Sequence, residues 1–117
     1  MKSSVDRTPA DWFMSVTEAL GAVPTRTTKK KAFGSEALKV NGKIYASLTR
    51  GRLLLKLPAH RVDELVQLNV GIPFSTGAGR VQREWVTVDV TQARRWSKLA
   101  EEARDFVGSE LSNDIHK

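Results

Sequence analysis

Apolar residues recur along this chain with two different periods, and each change of period marks an element. Trp12, Phe13, Val16, Ala19 and Leu20 follow spacings of one, three and four, which puts them on one stripe of a 3.6-residue helix. Thr8-Pro9-Ala10-Asp11 precedes them. Thr8 can cap free amides, Pro9 suits the first helical position and Asp11 stands where a capping-box acid belongs, while Gly21 and Pro24 end the run. The spacing therefore predicts a helix from about Thr8 to Leu20, with Trp12 and Phe13 packed against a sheet. Residues 25–36 fit either an early strand or a loop.

Period-two character follows in Glu36 to Val40, Lys43 to Thr49 and Arg52 to Leu57, divided by Asn41-Gly42 and Arg50-Gly51. These predict two consecutive hairpins. A two-residue loop at Arg50-Gly51 pairs Thr49 with Arg52, Leu48 with Leu53, Ala46 with Leu55 and Ile44 with Leu57, so these apolar residues are expected to share the face toward the helices. The same loop at Asn41-Gly42 would set Lys43 beside core residues. A three-residue bulged loop, with Gly42 left-handed, pairs Leu38 with Ile44 and keeps the alternation, and that turn is the expectation. Lys43, Tyr45, Ser47, Thr49, Arg52, Leu54 and Lys56 then face away from the helices.

Pro58 opens a second helix to about Leu68, with Val62, Leu65, Val66 and, at its end, Leu68 as the expected buried stripe and His60, Arg61, Asp63 and Glu64 largely in solvent. Residues 69–80 hold Gly71, Pro73, Gly77 and Gly79 and predict a long connection around a short extended piece at Ile72 to Phe74. Glu84 to Val88 is the last clear strand. From about Thr91 a helix carries Ala93, Trp96, Leu99, Ala100, Ala103, Phe106 and Val107 on one stripe, with fraying expected after Ser109. The order of elements is helix, three strands, helix, one or two strands, helix. It predicts one α+β domain, a two-layer sandwich with helices on one face of an antiparallel sheet and an ordered core of about residues 8–108.

Charge changes this picture by singling out one region. The net charge is +6, but residues 1–60 hold eleven bases and four acids, and residues 61–117 hold eight bases and nine acids. Between positions 26 and 56, nine bases face one acid, Glu36, which suits a polyanionic or acidic partner. Trp85, on the opposite parity to Val86 and Val88, joins Tyr45 on the outward face. Cations interleaved with aromatics suit the stacking of unpaired bases. The candidate nucleic-acid-binding residues are Lys29, Lys30, Lys31, Lys43, Tyr45, Arg52, Lys56 and Trp85.

Catalytic and metal chemistry have little to draw on. The chain has no cysteine and two histidines, His60 and His116, without metal-binding spacing. Ser75-Thr76-Gly77-Ala78-Gly79-Arg80 lacks the Gly-Lys-Ser/Thr ending and the following helix of a phosphate loop. No cofactor, metal or small-molecule substrate is expected, and the chain is not expected to be an enzyme. The apolar runs are too short for a membrane-spanning helix, and the N-terminus has no secretory core, so a cytoplasmic protein is the expectation.

Ala32-Phe33-Gly34-Ser35-Glu36-Ala37-Leu38-Lys39-Val40-Asn41-Gly42-Lys43-Ile44-Tyr45-Ala46-Ser47-Leu48, followed by Gly51-Arg52-Leu53-Leu54-Leu55-Lys56-Leu57-Pro58, resembles the TfoX N-terminal-domain-like proteins. Pro73-Phe74, Gly79-Arg80, Glu84-Trp85-Val86 and the helix from Trp96 to Val107 resemble small stand-alone members and the related YjbR-like proteins. The resemblance spans about positions 12–107. It implies a two-layer fold similar to type III secretion chaperones and a role in transcription regulation with DNA binding. The C-terminal helical domain of full-length TfoX has no counterpart here. Two function classes are therefore expected: a nucleic-acid-binding domain, or a protein-interaction module in which Tyr45, Leu54 and Trp85 bury against a partner or a second copy.

Overall fold

The computed structural model describes residues 8–26, 36–75 and 81–116. Helix α1 (Pro9–Leu20) starts at the capping box expected of its sequence. The Asp11 amide donates to Thr8 Oγ1 at 3.1 Å, and the Thr8 amide donates to Asp11 Oδ2 at 3.0 Å. Gly21, left-handed at φ 62°, ends it. Phe13, Val16 and Thr17 form its buried face, with Trp12 half-buried beside them.

Strands β1 (Thr25–Arg26), β2 (Glu36–Val40), β3 (Lys43–Thr49), β4 (Arg52–Lys56), β5 (Gly71–Ser75) and β6 (Val81–Val88) form one antiparallel sheet. Their order is β1-β2-β3-β4-β6-β5. Helix α2 (Ala59–Gln67) follows β4 and packs on β5 and β6, while a 3₁₀ turn (Val90–Arg95) leads into α3 (Trp96–His116), which packs on β2, β3, β4 and α1. This is the two-layer α+β arrangement read from the sequence. Several boundaries differ from expectation: α3 starts at Trp96, after the 3₁₀ turn, and runs to His116, past Ser109; β5 covers Gly71–Ser75, and β6 starts at Val81, three residues before Glu84.

Leu38, Ala46, Leu53, Leu55, Leu57, Val86 and Val88 from the sheet meet Phe13, Val16, Leu65, Trp96, Leu99, Ala103 and Val107 from the helices in one core. Full burial of a leucine side chain contributes about 1.5–3 kcal/mol, so the alternate leucines of β4 anchor the sheet to its helices. Trp96 satisfies its indole by donating to the Asp89 carbonyl at 3.2 Å, which ties the 3₁₀ turn to α3. Gly71 allows α2 to sit close to the sheet, because a Cβ there would lie 2.6 Å from Val86 Cγ2 and 3.2 Å from Leu65 Cβ. Arg61, expected in solvent, is half-buried and joins α2 to α3. Its Nε donates to Glu102 Oε1 at 2.9 Å and its Nη1 to Glu64 Oε1 at 3.0 Å.

The first hairpin departs from the bulged loop expected of it. Val40 pairs with Lys43 across a two-residue turn in which Asn41 and Gly42 have φ 54° and 82°, the positive-φ pair that such loops demand. The irregularity lies inside the strand instead. Lys39 pairs with Ile44 but Leu38 pairs with Ala46, so Tyr45 is an extra residue on β3. A bulge breaks the alternation, and Tyr45 turns toward the helices along with Ala46. It is 1 % exposed and part of the main core. Ile44, opposite the exposed Lys39, is left half-buried on the other face.

Leu54, expected among exposed cations, is 0 % exposed. Its register partners are Ser47 and Thr87, and Ser47 is in turn paired with Ala37, all of them buried on the face away from the helices. The polar members of this strip are satisfied locally: Ser47 Oγ donates to the Glu36 carbonyl at 3.0 Å and Thr87 Oγ1 to the Ile72 carbonyl at 3.4 Å. The outward face thus has a buried centre. β5 forms one border of the sheet, with Pro73 exposed in the middle of it.

Candidate nucleic-acid interface

The expected binding residues separate into distinct places. Lys29, Lys30 and Lys31 lie outside the described residues, as do Thr76 to Arg80 of the glycine-rich segment. Lys43 is exposed, but its partner Val40 packs against the helix-side core, so Lys43 begins β3 on that side and not beside Arg52 and Lys56. Tyr45 does not reach the basic face, because the bulge turns it into the core. Burial pushes its hydroxyl pKa above the usual tyrosine value, an effect that the charge of Arg104 partly offsets.

Arg52 is on the outward face and exposed, but its charge is shared. Its Nε lies 3.5 Å from Asp89 Oδ1. The backbone N–H of Thr91, which donates to Asp89 Oδ2 at 3.1 Å, holds the Asp89 carboxyl below the usual carboxylate range, and the Arg52 guanidinium adds to that shift.

Lys56 and Trp85 do come together. They are register partners on β4 and β6, and Lys56 Nζ is 5.9 Å from the centroid of the Trp85 ring, at the outer limit of cation–π attraction. Both are half-buried. Beside them is a cleft of about 480 Å³ lined by Lys56, Ala59, Gln82, Arg83, Glu84 and Trp85. Four backbone features build it. β4 delivers Lys56 at its last position, the chain turns at Pro58 into the first residue of α2, and the early start of β6 brings Gln82 and Arg83 alongside. Leu57 extends the β4–β6 ladder by donating its amide to the Glu84 carbonyl at 2.9 Å.

Arg83 is the exposed cation of this cleft, and Gln82 supplies an amide with both donor and acceptor groups. Neither was among the residues expected to bind. Their signal was weak, because Val81-Gln82-Arg83-Glu84 has no apolar alternation to mark it as strand. About 13 Å of β4 separates Arg52 from Lys56, so the two expected sheet cations serve different places.

A second cleft of about 320 Å³ lies where α1 meets the 3₁₀ turn, between Trp12 and the exposed Arg94 and Arg95. Arg95 Nε donates to Gln92 Oε1 at 3.0 Å across its rim. Among the described residues, no group of three or more His, Asp or Glu is placed to hold a metal ion. His60 is exposed on α2 and lines neither of these clefts. Among the described residues, no helix is long and apolar enough to cross a membrane.

No family model, curated protein or solved structure matches this chain.

Proposed function

We propose that this chain is a small non-enzymatic domain that binds nucleic acid through its phosphates, with the contact centred on the Lys56–Trp85 cleft and not spread across the sheet. The observation that carries this reading is the meeting of Lys56, Arg83 and the Trp85 ring around one cleft, where the end of β4 and the start of α2 meet β6. The excess of nine bases over one acid between positions 26 and 56 supports it, since such a surplus favours a polyanionic partner. The resemblance to TfoX N-terminal-domain-like proteins extends the proposal to a role in transcription regulation.

The protein-partner reading loses two of its three residues. Tyr45 and Leu54 are buried within the chain itself, leaving Trp85, which the nucleic-acid reading also uses.

Fluorescence anisotropy with a labelled oligonucleotide tests the proposal. Affinity is expected to fall linearly with the logarithm of salt concentration, and Lys56→Gln or Arg83→Gln should each lower the slope by about one phosphate's worth. Binding that is absent at low salt, or that is unchanged in the double variant, would overturn it.

A further inference from the structure

Resting on the nucleic-acid reading above, we infer that the cleft seats one unpaired nucleotide, so that the target is single-stranded and not duplex. The base lies against the Trp85 indole and its phosphate lies between Lys56 and Arg83. Three observations point the same way.

Among the described residues, the cations expected to bind are first of all spread over different parts of the fold. Lys43 starts β3 on the helix side, Arg52 pairs with Asp89, and Lys56 lies with Arg83 at one cleft. A flexible strand can bend to a single local site; a duplex needs contacts spaced along its length. Next, the aromatic is useful only to an exposed base face. Trp85 is half-buried beside an open cleft, and a paired base cannot lie against its ring because both faces of that base are stacked inside the helix. Finally, the cleft has the right scale and polarity. Its volume of about 480 Å³ falls within the roughly 300–1,000 Å³ typical of small-ligand sites. Glu84 also lines the cleft and disfavours a phosphate beside its own carboxylate, while the Gln82 amide can meet a base edge without strong preference.

Anisotropy titrations of the full chain with a labelled oligothymidylate and with a duplex of equal length test this, with tryptophan emission followed in parallel. The single strand is expected to bind at least about tenfold tighter, and Trp85→Ala should weaken it by about 5- to 150-fold, the range of one lost base–aromatic stack. Trp85→Phe, which keeps a ring in the fold, should bind with a smaller loss. It should also lack the quenching of tryptophan emission that bound thymidylate produces in the parent chain. Equal or tighter duplex binding would overturn the inference while leaving the phosphate-binding reading in place, and so would quenching that persists in Trp85→Phe. Failure of both nucleic acids to bind at low salt would overturn both.

Discussion

The β2–β3 and β3–β4 hairpins share a strand and a turn design, yet they solve the same packing problem differently. Each turns through two residues with positive φ, Asn41-Gly42 in one and Arg50-Gly51 in the other. In the second hairpin the order of apolar residues suits that loop, and the ladder from Thr49↔Arg52 to Ala46↔Leu55 is regular. In the first it does not, because strict pairing would set Leu38 opposite Tyr45 and carry the mismatch along the whole ladder. The chain keeps the favoured loop and inserts the extra residue at Tyr45. Turn chemistry therefore outranks strand alternation here. The strand absorbs the conflict at a position where the displaced side chain is an aromatic that can fill the core.

The largest expected effect separates Tyr45 from Ile44. Tyr45→Ala should cost about 3 kcal/mol in urea unfolding, as expected for an aromatic removed from a packed core, and Ile44→Ala only about 1 kcal/mol. A bulge located in the loop would put Ile44 inside and reverse that ranking. The same residue can be followed optically, because Tyr45 is the only tyrosine in the chain. Its raised pKa means that tyrosinate absorbance in the folded protein should appear only above the ordinary tyrosine value. Stability should be unaffected by this group at neutral pH and should fall as pH rises past about 10, where the unfolded chain ionises first. Titration at the ordinary value in the folded state would put Tyr45 on the surface.

Smaller effects test the shared half of the comparison. Gly42→Ala and Gly51→Ala should each cost about 1 kcal/mol, since both positions have positive φ. The two costs should be equal, because an added Cβ meets nothing within 4 Å at Gly42 and only ordinary contact with Pro9 Cγ at 3.6 Å at Gly51. The smallest effect belongs to the exposed ion pair beside the second hairpin. Arg52→Gln should cost under about 1 kcal/mol, and less in high salt. The Asp89 carboxyl is held low chiefly by Thr91, so its contribution should survive the substitution. That contribution is present above the unfolded carboxylate pKa and disappears as the solution is acidified through the lower folded one.

Local signals in the sequence were enough for most of the fold. Thr8, Asp11 and Gly21 bounded α1, and the turns at Asn41-Gly42 and Arg50-Gly51 made the end of β2 and both ends of β3 legible. The bulge was not legible, since a loop bulge and a strand bulge both reconcile Leu38 with the core. Only the cost of each backbone conformation distinguishes them. The burial of Leu54 did have a signal: three leucines in succession, Leu53 to Leu55, are the mark of a strand covered on both faces, and a strict inside–outside reading overlooked it. The cleft was least visible. Trp85 and Lys56 are adjacent only because β6 inserts beside β4, a pairing between distant segments that no local pattern announces.

Pro73 also matters for how these molecules behave when crowded. A sheet border offers its free amides and carbonyls to any passing strand, and that invitation is the usual first step toward fibrillar stacking. Proline has no amide hydrogen to offer, and at the centre of the five-residue β5 it interrupts the template just where a visiting strand would need continuity. The opposite border, β1, is two residues long. Among the described residues, one border strand is interrupted and the other is short, so the protein should stay dispersed at concentrations where an unguarded β-edge of similar size would seed aggregates.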